Sequence, residues 1–281
     1  MPQTIQDIIK DVKPLGSLSS ILDELNHLIK NPSTTINQVE VVLQKDTNLA
    51  MKLLKIANSS FYGHATRIDK ISQALVMVGM NQVMDLLTGS FVVDHFKGVD
   101  SKFMDMNKFW QHSIGTGLAA KSISEHLGNS DLEASFVAGM LHDVGRIVLC
   151  MNAPDQIGQA FEKAETANIS LTKAEMDIFG FTHADVGMAL FQQWKFPQNI
   201  IEATGFHHRP SNSQFSRRPA TIVHLADGMS HVLKFGNGGG EKYCYFYEPG
   251  SWEFLGIPTV KVESILEKTD QNFESIFRLY F

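Results

Sequence analysis

The amino-acid sequence predicts an all-α fold, arranged as a two-lobed helical bundle. Apolar residues recur at helical spacing along most of the chain, for example at Ile21, Leu25, Leu28 and Ile29. Alternating apolar and polar residues, which are typical of strands, form no regular series. The chain has 281 residues, of which 43% are hydrophobic and 19% charged, and this suffices to bury a core in two packed lobes.

The pattern of the first 97 residues indicates an N-terminal lobe of short helices. An amphipathic helix over residues 4–12 ends at Pro14 and Gly16, and further helices are predicted over 47–58, 71–79 and 80–96. At the end of helix 47–58, Asn58 and Ser59 can satisfy the last carbonyl groups, while Phe61 and Tyr62 fill the core. Residues suited to the N-cap precede three of the helices: Ser17 or Ser19, Thr34 or Thr35, and Asp46.

Two changes in composition divide the rest of the chain. The polar break at residues 97–101 separates the N-terminal lobe (1–97) from a second lobe (98–235). A glycine-rich loop at 236–240 opens a C-terminal segment (236–281). Its aromatic residues 243–254 indicate an irregular stretch with a short hairpin, and residues 258–281 indicate a final helix.

Charge and cysteine content favour a cytoplasmic protein with small-molecule or protein partners. The net charge of −6, from 24 basic and 30 acidic residues, argues against a nucleic-acid-binding surface. The two cysteines, Cys150 and Cys244, have neither metal-binding spacing nor a disulfide framework. The N-terminus lacks the features of a signal peptide, and three polar residues interrupt the apolar run 136–151, so no membrane contact is expected.

The pair His142-Asp143 lies in the apolar stretch 134–150, which otherwise has the composition of a buried helix. Burying an imidazole and a carboxylate costs free energy unless they are paired or hold a metal. Two interpretations follow: a pair of metal ligands, or a hydrogen-bonded core histidine beside a surface aspartate. The dipeptide alone favours the second interpretation.

Other histidines and aspartates lie on separate predicted helices. A run of small residues, 115–120, lets the helix that carries His112 approach the helix of His142. A capping box that starts at Thr182 places His183 in the first turn of a helix. The partial positive charge of the helix N-terminus favours neutral imidazole there. Glu175, on the preceding helix, is expected on a solvated face. The remaining candidates are His207, His208 and Asp227.

The order of these residues resembles that of a known superfamily. His … His-Asp … His … His-His … Asp is similar to the HD metal-dependent phosphohydrolases, in the form with ligands for two metals. The stretch from Asn58 to Tyr62, and the Gln73-Ala74 helix that ends at Gly79, resemble the HDOD (HD-related output domain) family. The resemblance covers residues 12–234, although the start of the lobe matches the family's Leu-Pro-x-Leu-Pro pattern only in part.

This resemblance implies an HD-domain-like C-terminal lobe with one or two divalent ions, where Fe, Mn, Zn, Ni and Mg are not distinguished. Its implied ligands are His112, His142, Asp143 and Asp227 for a first ion, and Asp143 as bridge with His183, His207 and His208 for a second. The implied catalytic residues are Asp143 and Arg146. Arg146 stands where relatives often have lysine, and it either holds a phosphate or forms a surface salt bridge.

The implied function is that of an HDOD signalling protein of bacterial type whose metal site hydrolyses a nucleotide or a phosphodiester. The family's cyclic-di-GMP phosphodiesterases carry Gly-Tyr-Pro after the histidine pair, where this chain has Arg209-Pro210-Ser211, so that substrate is not expected. The alternative is a non-catalytic regulatory module with a structural or vestigial metal, which binds a signalling-protein partner near residues 58–62. A third interpretation is a helical scaffold without metal.

Overall fold

The computed structural model describes residues 4–13, 18–59, 61–62, 67–129, 131–236 and 247–281. Helices and turns account for these ranges, which contain no strand, so the predicted all-α fold is confirmed. The α-helices are α1 (Ile5–Ile9), α2 (Leu18–Ile29), α3 (Ile36–Leu43), α4 (Thr47–Ala57), α5 (Ile71–Val78), α6 (Met80–Phe96), α7 (Met106–His126), α8 (Leu132–Leu141), α9 (Val144–Asn152), α10 (Pro154–Ala167), α11 (Leu171–Phe179), α12 (His183–Gln193), α13 (Gln198–Phe206), α14 (Arg217–Val232), α15 (Ser251–Leu255) and α16 (Val262–Tyr280).

The chain forms two compact units. The first comprises Met1–Lys13 and Phe96–Asp270, and the second comprises Pro14–His95 and Gln271–Phe281. The division into domains 1–97, 98–235 and 236–281 stays a prediction.

Side-chain caps start the helices of the second unit where the sequence predicts them. Thr35, rather than Thr34, caps α3: its hydroxyl accepts from the Gln38 N–H, and the Gln38 side chain accepts from the Thr35 N–H at 2.8 Å. Asp46 caps α4 by accepting from the backbone N–H groups of Asn48 (2.8 Å) and Leu49 (3.1 Å). The predicted caps of α2, Ser17 or Ser19, lie outside the described side chains.

Asn58 joins the end of α4 to the segment before α5. Its Nδ2 donates to the carbonyl oxygens of Leu54 (2.8 Å) and Ile68 (2.7 Å), and its Oδ1 accepts from the Ile68 N–H at 2.8 Å. Phe61, just beyond it, is buried. These contacts confirm the structural interpretation of the Asn-Ser-aromatic stretch.

Glycines bring the central helices of the first unit into backbone contact. A Cβ atom at Gly139 of α8 would lie 2.7 Å from the Thr116 carbonyl oxygen of α7, and one at Gly117 would lie 2.7 Å from the Phe136 carbonyl oxygen. A Cβ at Gly145 of α9 would likewise collide with the backbone of α12 at His183. The prediction that small residues let the α7 and α8 backbones approach is therefore confirmed.

The apolar stretch around His142 is two helices, not one. α8 ends at Leu141, α9 begins at Val144, and His142 and Asp143 form the turn between them. By length and composition Leu132–Asn152 could cross a membrane, but 78% of its apolar window is buried inside the protein, as in a core helix. The first part of the predicted irregular stretch 243–254, residues 243–246, lies outside the described residues, and the part from Ser251 onward is helical rather than a hairpin.

Candidate metal centre

The first unit brings all seven predicted ligands together. They come from the middle of α7, the α8–α9 turn, the first turn of α12, the end of α13 and the middle of α14. His208 is half-buried and the others are buried: His112, His142, Asp143, His183, His207 and Asp227. Helices that are distant in sequence therefore supply nitrogen and oxygen atoms to one small volume.

Asp143 lies at the middle of the cluster. Its Oδ1 is 3.0 Å from His183 Nε2 and 3.5 Å from His207 Nε2. Its Oδ2 is 3.3 Å from His142 Nε2 and 2.9 Å from Arg146 Nη1. Each carboxylate oxygen thus faces a different set of imidazoles, which is the arrangement that a bridging carboxylate requires.

Asp227 forms a neighbouring part of the cluster. Its Oδ1 is 3.1 Å from His112 Nε2, 4.0 Å from His142 Nε2 and 3.4 Å from His231 Nε2. His231 is not among the predicted ligands, although it lies one helical turn after Asp227 on α14. That spacing places two side chains on one helix face and was a usable signal.

Possible ligand atoms fall into overlapping groups, in each of which all the atoms lie within 4.8 Å of one another. One group consists of the predicted ligands of the second metal, and the other two groups both contain His112. The groups are Asp143, His183, His207 and His208; His112, His142 and Asp143; and His112, Asp227 and His231. Asp227 therefore lies in one group with His112, and His112 lies in another group with His142 and Asp143. These four residues are the predicted ligands of the first metal.

Three of the imidazole rings are held from behind. Nδ1 of His142 lies 2.7 Å from the Gly139 carbonyl oxygen, and Nδ1 of His207 lies 2.7 Å from the Thr204 carbonyl oxygen. Carbonyl oxygens only accept, so Nδ1 must carry a proton, and Nε2 is the ring nitrogen that faces the cluster. A histidine that ligates a metal shows this same arrangement.

Glu175 holds the third ring and corrects a prediction. Its Oε2 lies 2.7 Å from His183 Nδ1 and accepts the His183 backbone N–H at 3.0 Å. Glu175 is buried, so the predicted solvated face is wrong. Leu171, Ala174 and Glu175 form the buried stripe of α11, and this helical spacing was a signal that the sequence offered.

The carboxylates of the cluster are ionised. Burial acts to raise the pKa of Asp143, but the Arg146 guanidinium and neighbouring imidazoles hold that pKa well below its usual range. Burial acts in the same way on Asp227, and hydrogen bonds and charges from imidazoles again hold the pKa far lower. An ionised carboxylate is the form that binds a cation.

The imidazoles differ among themselves. Burial lowers the pKa of His207 to about 4 and holds the pKa of His208 well below its usual value, so both rings are neutral. Burial also acts to lower the pKa of His183, but the Glu175 and Asp143 carboxylates outweigh it and the pKa is raised. The helix N-terminus is predicted to favour neutral imidazole at His183, whereas these two carboxylates favour its charged form.

The donor set fits a divalent metal ion. Several buried atoms have no hydrogen-bond partner of acceptable geometry among the residues that the structure describes: His142 Nε2, His207 Nε2, both carboxylate oxygens of Asp143, and Asp227 Oδ1. Buried polar atoms are normally paired, so such a group calls for an explanation. Imidazole nitrogens together with carboxylate oxygens suit Zn, Fe, Mn or Ni.

The helices and this cluster define a class: an all-α domain with a candidate metal centre of histidine and aspartate side chains. The sequence model of the HDOD domain matches residues 15–210, more than half of the chain. The chain therefore belongs to the HDOD family.

Other proteins resemble this chain in sequence or fold over most of its length. An uncharacterized protein of Treponema pallidum is 26% identical over 275 residues, which are 98% of this chain and 51% of the relative, so the chain spans about half the length of that curated relative. The crystal structure of an HDOD domain protein from Geobacter sulfurreducens has a TM-score of 0.73 at 23% identity and covers 93% of this chain and 90% of its own. A Shewanella amazonensis structure named "Putative metal-dependent phosphohydrolase" has a TM-score of 0.67 at 16% identity, with 98% and 96% covered. At these identities, the two structures establish a shared fold.

Proposed function

We propose that this protein is a metal-dependent phosphohydrolase that acts on a nucleotide or a phosphodiester in the cytoplasm. One observation carries the proposal. Three imidazoles whose Nδ1 atoms are tied to Gly139, Thr204 and Glu175 direct their Nε2 atoms to a single carboxylate, Asp143. A plain core histidine needs no such convergence.

The predicted ligands would hold one or two divalent ions, with Asp143 shared between the two halves of the cluster. An ion bound there supplies Lewis acidity, because it lowers the pKa of a water molecule and neutralises charge on a phosphoryl group. The chain's part is to fix the ligand rings, to keep Asp143 ionised and to bury the centre. His231 is a further ligand candidate on the Asp227 side.

Arg146 belongs to this centre rather than to the surface. Its side chain is 11% exposed, Nη1 lies 2.9 Å from Asp143 Oδ2, and Nη2 lies 3.4 Å from His183 Nε2. A guanidinium in this place orients Asp143 and adds positive charge beside the ligands. We propose that it contacts a phosphoryl oxygen of the substrate.

Two measurements test the proposal. The first is elemental analysis of the purified protein before and after chelation, which should find divalent metal that chelation removes. The second is hydrolysis of an aryl phosphodiester and a panel of nucleotides by metal-loaded protein. Asp143→Ala should abolish turnover, whereas Asp155→Ala, at an exposed position of α10, should not. Full turnover in Asp143→Ala would refute the proposal.

A second candidate is a regulatory module that binds a signalling protein. Exposed apolar side chains on the second unit favour it, with Val76 64%, Val41 59%, Met51 52% and Met77 50% exposed. The structural role of Asn58 moves this candidate away from residues 58–62. Two results together would support this candidate. The protein shows no metal-dependent turnover, and its complex with a signalling protein is lost in Val76→Ser/Met77→Ser but kept in Tyr62→Ala.

A further inference from the structure

A cavity of about 410 Å³ lies beside the metal centre, between the N-terminal turns of α11 and α12 and the end of α13. His208 lines it, and His208 Nε2 is 3.0 Å from His183 Nε2 inside the cluster. His183 and His207 are buried, while His208 is half-buried. A molecule in this cavity would therefore lie against His208, the predicted ligand of the second metal that is in reach of solvent.

The cavity has the size of a small-molecule site. Pockets that hold such ligands measure about 300–1,000 Å³. The other cavity of note in the described ranges, lined by Ala134, Arg218 and Ile222 among others, is smaller at about 260 Å³ and includes no residue of the cluster. Its lining gives it no connection with the candidate chemistry.

The charges of the cavity wall favour an anion. Lys173 and Arg209 are exposed cations of the lining, and Asp185 is its acidic member. The Asp185 carboxylate accepts hydrogen bonds from the Thr182 backbone N–H at 2.7 Å and from the Thr182 hydroxyl at 2.8 Å, so it is held at the start of α12. This local excess of positive charge stands on a chain whose net charge is −6.

The rest of the wall is partly apolar. Met176, which is 47% exposed, and Phe206, which is half-buried, both line the cavity. A thioether and a phenyl ring make favourable contacts with the face or edge of a flat ring. The wall therefore combines an anion-binding edge with an apolar surface for a ring.

We propose that this cavity binds a nucleoside monophosphate unit, with its phosphate between His208 and the Lys173–Arg209 pair and its base against Met176 and Phe206. The inference rests on the proposed phosphohydrolase function and names its substrate class. The nucleotide part of the substrate would dock here, and the scissile bond would lie at the predicted ligands of the second metal, His183, His207 and His208.

Binding can be measured without turnover. The probe is mant-GMP, followed by fluorescence anisotropy in chelator and again with Mn²⁺. The variant Lys173→Ala/Arg209→Ala should bind about tenfold more weakly, because two charge-assisted contacts are lost. The matched control Lys261→Ala/Arg278→Ala, at two exposed positions that are not part of the cavity lining, should bind as the wild type does.

Competition tests the ring contact. GMP should displace the probe at lower concentration than ribose 5-phosphate or inorganic phosphate, and Met176→Ala should reduce that difference. Equal competition by all three would overturn the assignment of a base, and unchanged binding in Lys173→Ala/Arg209→Ala would overturn the site. If wild-type protein hydrolyses an aryl phosphodiester but does not bind mant-GMP, this inference fails while the proposed function stands. If no metal or turnover is found, the proposed function fails, and binding in chelator still decides whether the cavity takes a nucleotide.

Discussion

Removing the Glu175 side chain tests whether the metal centre depends on a residue that would not touch the metal. Glu175 accepts two hydrogen bonds from His183, one from the ring Nδ1 and one from the backbone N–H. Both partners are buried. In Glu175→Ala the ring loses the contact that fixes its orientation, and the first turn of α12 loses an acceptor.

The size of the effect follows from these two bonds. A buried donor without an acceptor costs about 1–3 kcal/mol, so Glu175→Ala should lower the free energy of unfolding by about 2–6 kcal/mol. Glu175→Gln keeps an amide oxygen as acceptor and should lose about half of that. A lost partner behind a metal-binding imidazole weakens metal affinity by about 10–100-fold.

Denaturant unfolding of chelated protein measures the first quantity, and calorimetric titration with Zn²⁺ or Mn²⁺ measures the second. Glu162→Ala, at an exposed position of α10, is the matched control and should change neither. The reasoning is refuted if Glu175→Ala unfolds and binds metal as Glu162→Ala does.

Three further substitutions probe the fold around the site and in the second unit. Gly145→Ala should destabilise the first unit by about 3 kcal/mol or more in thermal unfolding, because its Cβ would lie 2.8 Å from the Gly187 backbone nitrogen; an unchanged melting temperature would contradict the close approach of α9 and α12. The pKa of Glu202 is lowered from its usual 4.5: burial acts to raise it, and hydrogen bonds from the loop before α14 outweigh burial. The stabilising effect of the Glu202 carboxylate is therefore complete above pH 4.5 and is lost as the pH falls through its folded-state pKa. The difference in the free energy of unfolding between wild type and Glu202→Gln should shrink in acid, and a difference that does not change with pH would contradict this. Asn58→Ala leaves the Ile68 N–H without its acceptor and should cost about 1–3 kcal/mol in denaturant unfolding, and a smaller cost would mean that water replaces the bond.

Local signals were sufficient for most of the fold. Helix starts depend on a side chain and the backbone N–H groups two or three residues later, so Asp46 and Thr182 could be assigned as caps from sequence alone, and the cap of α3 could be narrowed to Thr34 or Thr35. Close helix packing could be expected from glycines, since only they lack a Cβ at the contact. Both kinds of signal are visible in a short stretch of sequence.

Features that depend on other parts of the chain were missed. Glu175 shows its role only when α11 lies against the first turn of α12, because a glutamate on an amphipathic helix is usually solvated. The break at His142 and Asp143 is a second case, since residues 134–150 have the composition of one continuous helix. The raised pKa of His183 is a third, because the carboxylates that raise it, Glu175 and Asp143, come from other parts of the chain.

The break between α8 and α9 and the glycine just after it explain why the ligands can converge. Asp143 lies at the turn, where its carboxylate can meet side chains from more than one helix. Gly145 lets α12 approach until His183 Nε2 is 3.0 Å from that carboxylate. Even a buried ion pair such as Asp143 with Arg146 is often no more stable than apolar residues of similar volume. A scaffold that needed only to fold would gain nothing from this arrangement, whereas a cation among these atoms would offset the cost of burying them.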